Sequence, residues 1–157
     1  MPLSTDDLVK QVSEEINFRF DIYSYVNQSK DWPFAQLMIE MLFPSIDSDQ
    51  AFNLLVPGQQ SKMKAGYKDD DNAIYYIIDA YYSDDPTGQP HFGGGVIYSS
   101  LDFHKKVHNS ESTNVESQNI LHHAIQAKKD GYSIISILAL FGTLEPDVNQ
   151  SQYIKKL

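Results

Sequence analysis

The segment Tyr132 to Phe141, YSIISILALF, carries no charge, no glycine and no proline. A run this apolar and this short predicts a strand buried on both faces of a sheet. Such a strand needs helices packed on either side, so it commits the chain to an α/β layer architecture. The residues before it agree. Val115 to Lys129 places Ile120, Leu121, Ala124, Ile125 and Ala127 on or near one side of a helix. Lys128 and Lys129 fall in its last turn, and Gly131 is the expected C-cap.

The rest of the chain supplies partners for that strand. Ser61–Tyr67 and Ala73–Tyr82 flank a polar turn, Lys68–Asn72, and read as a β-hairpin. AIYYIIDAYY is apolar on both faces, which predicts a central strand. Ala51–Val56, short and apolar before Pro57-Gly58, reads as a third strand. Residues 5–26 predict a helix capped by Ser4 or Thr5, with Leu8, Val12, Ile16, Phe20 and Tyr23 as its stripe. A second helix runs from Pro33, suited to a first turn, to Phe43, with Pro44 ending it. Residues 84–95 and 109–114 read as loop, and Leu101–Val107 as a short helix. The order is helix, helix, three strands, helix, strand, in a single domain over residues 1–157.

Composition excludes several classes. There is no cysteine, so disulfides, thiolate catalysis and Cys-based metal sites are absent. No apolar run approaches the ~20 residues of a membrane span, so no membrane partner is expected. The start MPLSTDDLVKQVSEEI lacks the basic and apolar regions of a secretory signal. The expected setting is soluble, reducing and cytoplasmic. Twelve Lys and Arg stand against 21 Asp and Glu, a formal net charge of −9. Arg19 is the one arginine, and the lysines are scattered, so the charge does not support nucleic acid as a partner.

Two segments resemble a known family. KMKAGYKDDDNAIYYIIDAYYS, residues 62–83, is similar to the hairpin of the abortive-infection phage-resistance (AIPR) nuclease domains. That hairpin reads Lys-Ile-Asp-Gly/Ala-x-Tyr, an acidic turn, then a strand ending Gln/Glu-x-Lys-Tyr. AKKDGYSIISILALFGTLEPD, residues 127–147, resembles the family's helix, turn and following strand. The resemblance covers residues 34–147 and implies the PD-(D/E)xK, restriction-endonuclease-like fold. That fold has an αβββαβ core, a mixed sheet flanked by helices, here with an extra N-terminal helix over residues 1–30.

The same resemblance implies a degenerate site. The family's metal-binding Asp falls on Lys64, its Gln/Glu on Asp79 and its catalytic Lys on Tyr81. Metal-assisted phosphodiester hydrolysis needs two or more hard oxygen donors and a cation beside the attacking water. Lys64 instead puts a positive charge where Mg²⁺ would sit, and Tyr81 is not cationic at neutral pH. Asp79 is the one remaining candidate metal ligand, facing a polar cleft or paired internally. No cofactor is expected, with Mg²⁺ required only by an active-nuclease alternative whose carboxylates come from elsewhere, such as Asp69, Asp70 or Asp71. The implied action is binding or regulation through a protein partner or a second copy of the chain. A salt bridge or hydrogen bond between Lys64 and Asp79 is expected. An α/β interaction domain unrelated to nucleases is the remaining alternative.

Other chemistry-bearing residues read as structural. Asp69–Asp71 are turn formers without the ligand spacing of a Ca²⁺ loop. Tyr75, Tyr76, Tyr81 and Tyr82 suit sheet packing. His104 and His108 share a helical face, but Lys105 and Lys106 between them repel a cation. His91, His122 and His123 complete the set, with surface or structural roles. Gly93-Gly94-Gly95 lacks phosphate-loop spacing and reads as a flexible connection. No G-x-S-x-G elbow is present.

Overall fold

A computed structural model describes residues 4–25, 28–57, 63–83, 92–109 and 120–142. Three helices come first: α1 (Thr5–Ile22), α2 (Asp31–Leu42) and α3 (Ser48–Leu54). The hairpin β1 (Ala65–Asp69) and β2 (Ile74–Tyr82) follows, then α4 (Gly94–His108), α5 (Ile120–Lys129) and β3 (Ser133–Phe141). The sheet order is β1-β2-β3. β1 runs antiparallel to β2, with Ala65 opposite Ile78 and Asp69 opposite Ile74. β3 runs parallel to β2, from Ile74 beside Ser133 to Tyr82 beside Phe141. The hairpin, the central position of β2 and the return of 132–141 to the same sheet agree with the sequence expectations.

Strand alternation divides the core into two layers. Ala65, Ile78 and Ala80 face a cluster built by Ile16, Phe34, Ala35 and Ile39 of α1 and α2 and Ala51 of α3. Tyr75 and Ile77 face the other way, onto Phe103 and Val107 of α4 and Ile120, Leu121, Ala124 and Ala127 of α5. Gly66 lies on this second face. A Cβ there would sit 2.1 Å from the Tyr75 hydroxyl, so only glycine lets that ring lie flat on β1.

Several boundaries differ from expectation, each for a local reason. Ala51–Val56 is not a strand. Asp47 caps α3 through the Gln50 amide, and the Gln50 side chain accepts from the Asp47 N–H. That reciprocal capping box starts a helix through the apolar residues. Leu55 retains one antiparallel bridge, to Ala65. The sheet therefore has three described strands, and the αβββαβ core is not reproduced strand for strand.

The first helix stops at Ile22, not residue 26. Ser24 takes φ +54°, and the Tyr25 N–H closes onto Phe20 O, a Schellman-type ending. The first hairpin strand extends through Asp69, and Ala73 sits in the turn at φ +53°. α4 begins at Gly94, far ahead of Leu101, so the triple glycine opens a helix with Gly93 as its N-cap. Gly131, at φ +91°, ends α5 as expected. β3 is half-buried with Ile135 40% exposed, because β2 alone flanks it among the described strands. Residues 115–119 of the third long helix, loops 84–91 and 110–114, and residues 143–157 lie outside the described residues. No described helix is long and apolar enough to cross a membrane.

Candidate functional site

The register that pairs Ala65 with Ile78 puts Lys64 across from Asp79, and Tyr81 two residues on lies on the same side of β2. The three positions meet. Lys64 Nζ donates to Asp79 Oδ1 at 3.1 Å, with Asp79 fully buried and the lysine side chain 11% exposed. The ammonium also lies 4.8 Å from the Tyr81 ring centroid and 5.2 Å from that of Trp32. Cation–π attraction on two rings and one carboxylate fix it. Asp79 Oδ1 accepts a second bond, from the Ala80 N–H at 3.0 Å. Asp79 Oδ2 is buried without a hydrogen-bond partner.

Helix α2 closes the site from a distant part of the chain. Asp31, its first residue, accepts from the Tyr82 N–H at 2.7 Å and so holds the end of β2. Its neighbour Trp32 supplies one of the two rings. Burial first, then the Asp79 and Asp31 carboxylates, push the Tyr81 phenol well above its ordinary value. Tyr81 is therefore neutral throughout the physiological range and is neither a cation nor a phenolate base. Sequence reasoning missed Asp31 and Trp32, because the nearer of them precedes Lys64 by more than thirty positions.

Trp32 also borders a cavity of about 200 Å³ formed with Tyr23, Tyr25, Phe52, Asn53 and Gln28. Gln28 Oε1 is buried there with no partner. Arg19 is held elsewhere in the same half of the molecule. Its guanidinium binds Glu40 through both terminal nitrogens and Glu15 through Nε at 2.7 Å.

At the Lys64, Asp79 and Tyr81 positions the side chains do not form a set of oxygen donors for a metal ion. Lys64 already supplies the cation beside Asp79, and a divalent ion would have to displace it. Among the described residues no group of three or more His, Asp or Glu is arranged to hold one. The acidic turn lies apart from the site: Asp69 accepts from Asn72, and Asp70 from the Tyr132 hydroxyl at 2.7 Å. His122 and His123 are exposed on α5. His104 is half-buried, and burial followed by His108 holds it below the ordinary histidine value. Its Nδ1 lies 2.6 Å from Ser136 Oγ, a contact with no trace in sequence spacing. His91 lies outside the described residues.

No protein-family model matches the chain, and neither a curated protein nor a solved structure matches it significantly.

Proposed function

We propose that the chain is a nuclease-like domain, related to the AIPR phage-resistance family, whose metal site has become an internal ion pair. It acts by binding a protein partner or a second copy of itself. The observation that carries this reading is the buried Lys64–Asp79 contact of 3.1 Å, at the positions onto which the resemblance carries the family's metal-binding Asp and its Gln/Glu. An ammonium there neutralises the carboxylate without supplying a metal-bound hydroxide, so the nucleophile for phosphodiester cleavage is missing. Neutral Tyr81 cannot replace the lysine that would stand beside an attacking water. Two buried oxygens without partners, Asp79 Oδ2 and Gln28 Oε1, lie at this end of the molecule.

The hairpin followed by a helix-linked parallel strand supports the restriction-endonuclease-like assignment. The loss of a strand at 51–56 counts against it. The test is cleavage of plasmid and of single- and double-stranded oligonucleotides with Mg²⁺ or Mn²⁺, run beside Asp79→Ala. No cleavage is expected. Metal-dependent cleavage that disappears in Asp79→Ala would replace this reading with an active nuclease.

A further inference from the structure

The second face of the sheet carries a different arrangement. β3 places Ser136 and Leu138 on the side covered by α4, whose Ile97, Ser100, Leu101 and His104 complete a cavity of about 270 Å³. Its walls are apolar apart from two hydroxyls and one imidazole. Ser136 Oγ is 2.6 Å from His104 Nδ1, and His104 Nε2 is 2.9 Å from His108 Nε2. His104 and His108 are one helical turn apart, so α4 sets their rings 4.5 Å apart between centroids, tilted by 49°.

Two opposite proton assignments satisfy both contacts, and the productive one leaves His104 Nδ1 free to accept. In it the serine hydroxyl donates to Nδ1 of neutral His104, and the His104 Nε2–H donates to Nε2 of His108. A nucleophile, a base and a group orienting the base then stand in sequence, which is the geometry that activates a serine. His104 is half-buried among apolar residues, and Ser136 is neither sealed in the core nor fully exposed. Both are open to a ligand in the cavity.

We propose that Ser136, His104 and His108 form an acyl-transfer site that takes esters of short apolar carboxylic acids. Ser136 Oγ bonds to the ester carbonyl carbon while its proton passes to His104 Nδ1. The carbonyl π pair moves onto oxygen, where the Ser100 hydroxyl is the side-chain donor lining the cavity. The carbonyl re-forms, the bond to the alcohol oxygen breaks, and that oxygen leaves with the proton from His104. Water then attacks the acyl-serine with His104 again taking and returning a proton, which releases the acid and restores Ser136. Ile97, Leu101 and Leu138 hold the acyl chain. His108 is a positioning residue: it accepts from His104 Nε2 and so fixes the tautomer that leaves Nδ1 free.

The experiment treats the full chain with a fluorophosphonate probe and locates the adduct by peptide mass spectrometry. In parallel it follows p-nitrophenyl acetate and butyrate hydrolysis. The adduct is expected on Ser136 and absent in Ser136→Ala. His104→Gln is expected to slow labelling and hydrolysis about 100-fold, the lower end of general-base contributions. His108→Leu is expected to lower both rates, whereas His108→Gln, whose amide oxygen still accepts, restores most of the loss. Circular dichroism confirms that each variant is folded, and Ser136→Cys with iodoacetamide supplies a second readout of His104. An adduct on other serines only, or labelling of Ser136 unchanged in His104→Gln, would overturn the proposal. Equal rates in His108→Leu and His108→Gln would overturn the role given to His108.

Discussion

Lys64→Met isolates the energetic role of the ion pair. Asp79 is fully buried, and its cation is Lys64, itself only 11% exposed. Methionine keeps the length of the stem against Trp32 and Tyr81 but removes the charge. Asp79 then retains the Ala80 N–H as its one donor, with a carboxylate charge that water does not reach. Removing one partner of a buried pair costs about 3–5 kcal/mol, because the other charge is left uncompensated. For a chain of this length that corresponds to a fall in Tm of about 10 °C. The reverse change is cheaper. In Asp79→Leu the lysine keeps two aromatic faces and an 11% opening to solvent through which its ammonium can reach water. The double variant Lys64→Met/Asp79→Leu should recover much of the Lys64→Met loss, since well-packed apolar pairs often match buried ionic ones. Urea denaturation of the four proteins closes a double-mutant cycle. A Lys64→Met loss under about 1 kcal/mol, or a coupling near zero, would refute the reasoning.

Gly66→Ala should destabilise by about 1–3 kcal/mol, because the new Cβ would meet the Tyr75 hydroxyl at 2.1 Å; a neutral result in urea melts would show that the ring moves freely. Ser24→Gly and Ala73→Gly should each stabilise by about 0.5–1 kcal/mol, since both residues hold left-handed backbone that glycine adopts without strain; lower Tm values would contradict this. His104 is held below the ordinary histidine value, so between that lowered value and about 6.5 the unfolded chain binds the extra proton. Stability should fall as pH drops below about 6.5, and His104→Gln should flatten that slope in denaturation series at pH 7.5, 6.5 and 5.5.

Much of the fold was legible because it depends on local pattern. The acidic turn between apolar runs specified the hairpin, and Gly131 after two lysines specified the end of α5. The Lys64–Asp79 pair was expected only through the family resemblance, since the strand bounds read from the sequence would have set Lys64 opposite Tyr76. What failed was arbitration between signals. Asp47-Ser-Asp-Gln50 is a capping box, and it overrides the strand reading of the apolar residues behind it. Gly93–Gly95 read as flexible because glycine disfavours helix, yet burial of Phe103 and Val107 stabilises α4 as a whole. Burial of 132–141 on both faces failed because strand composition does not tell whether a second neighbour is present. Asp31, Trp32 and the Ser136–His104 contact were not legible. They depend on how α2 and α4 lie on the sheet, which no spacing along the chain encodes.

The position of Arg19 bears on what this protein can recognise. Its guanidinium is the one planar fork of donors in the chain, and it is 7% exposed and committed to Glu40 and Glu15. Bidentate reading of a phosphate or of a guanine edge relies on that fork, for which lysine is a poor substitute. The strong cations left for a polyanion are lysine ammonium groups. Such contacts act as point charges, weaken steeply with added salt and discriminate little between one sequence and another. Sequence-selective reading of a nucleic acid through a guanidinium fork is therefore not something Arg19, as it is held, can supply.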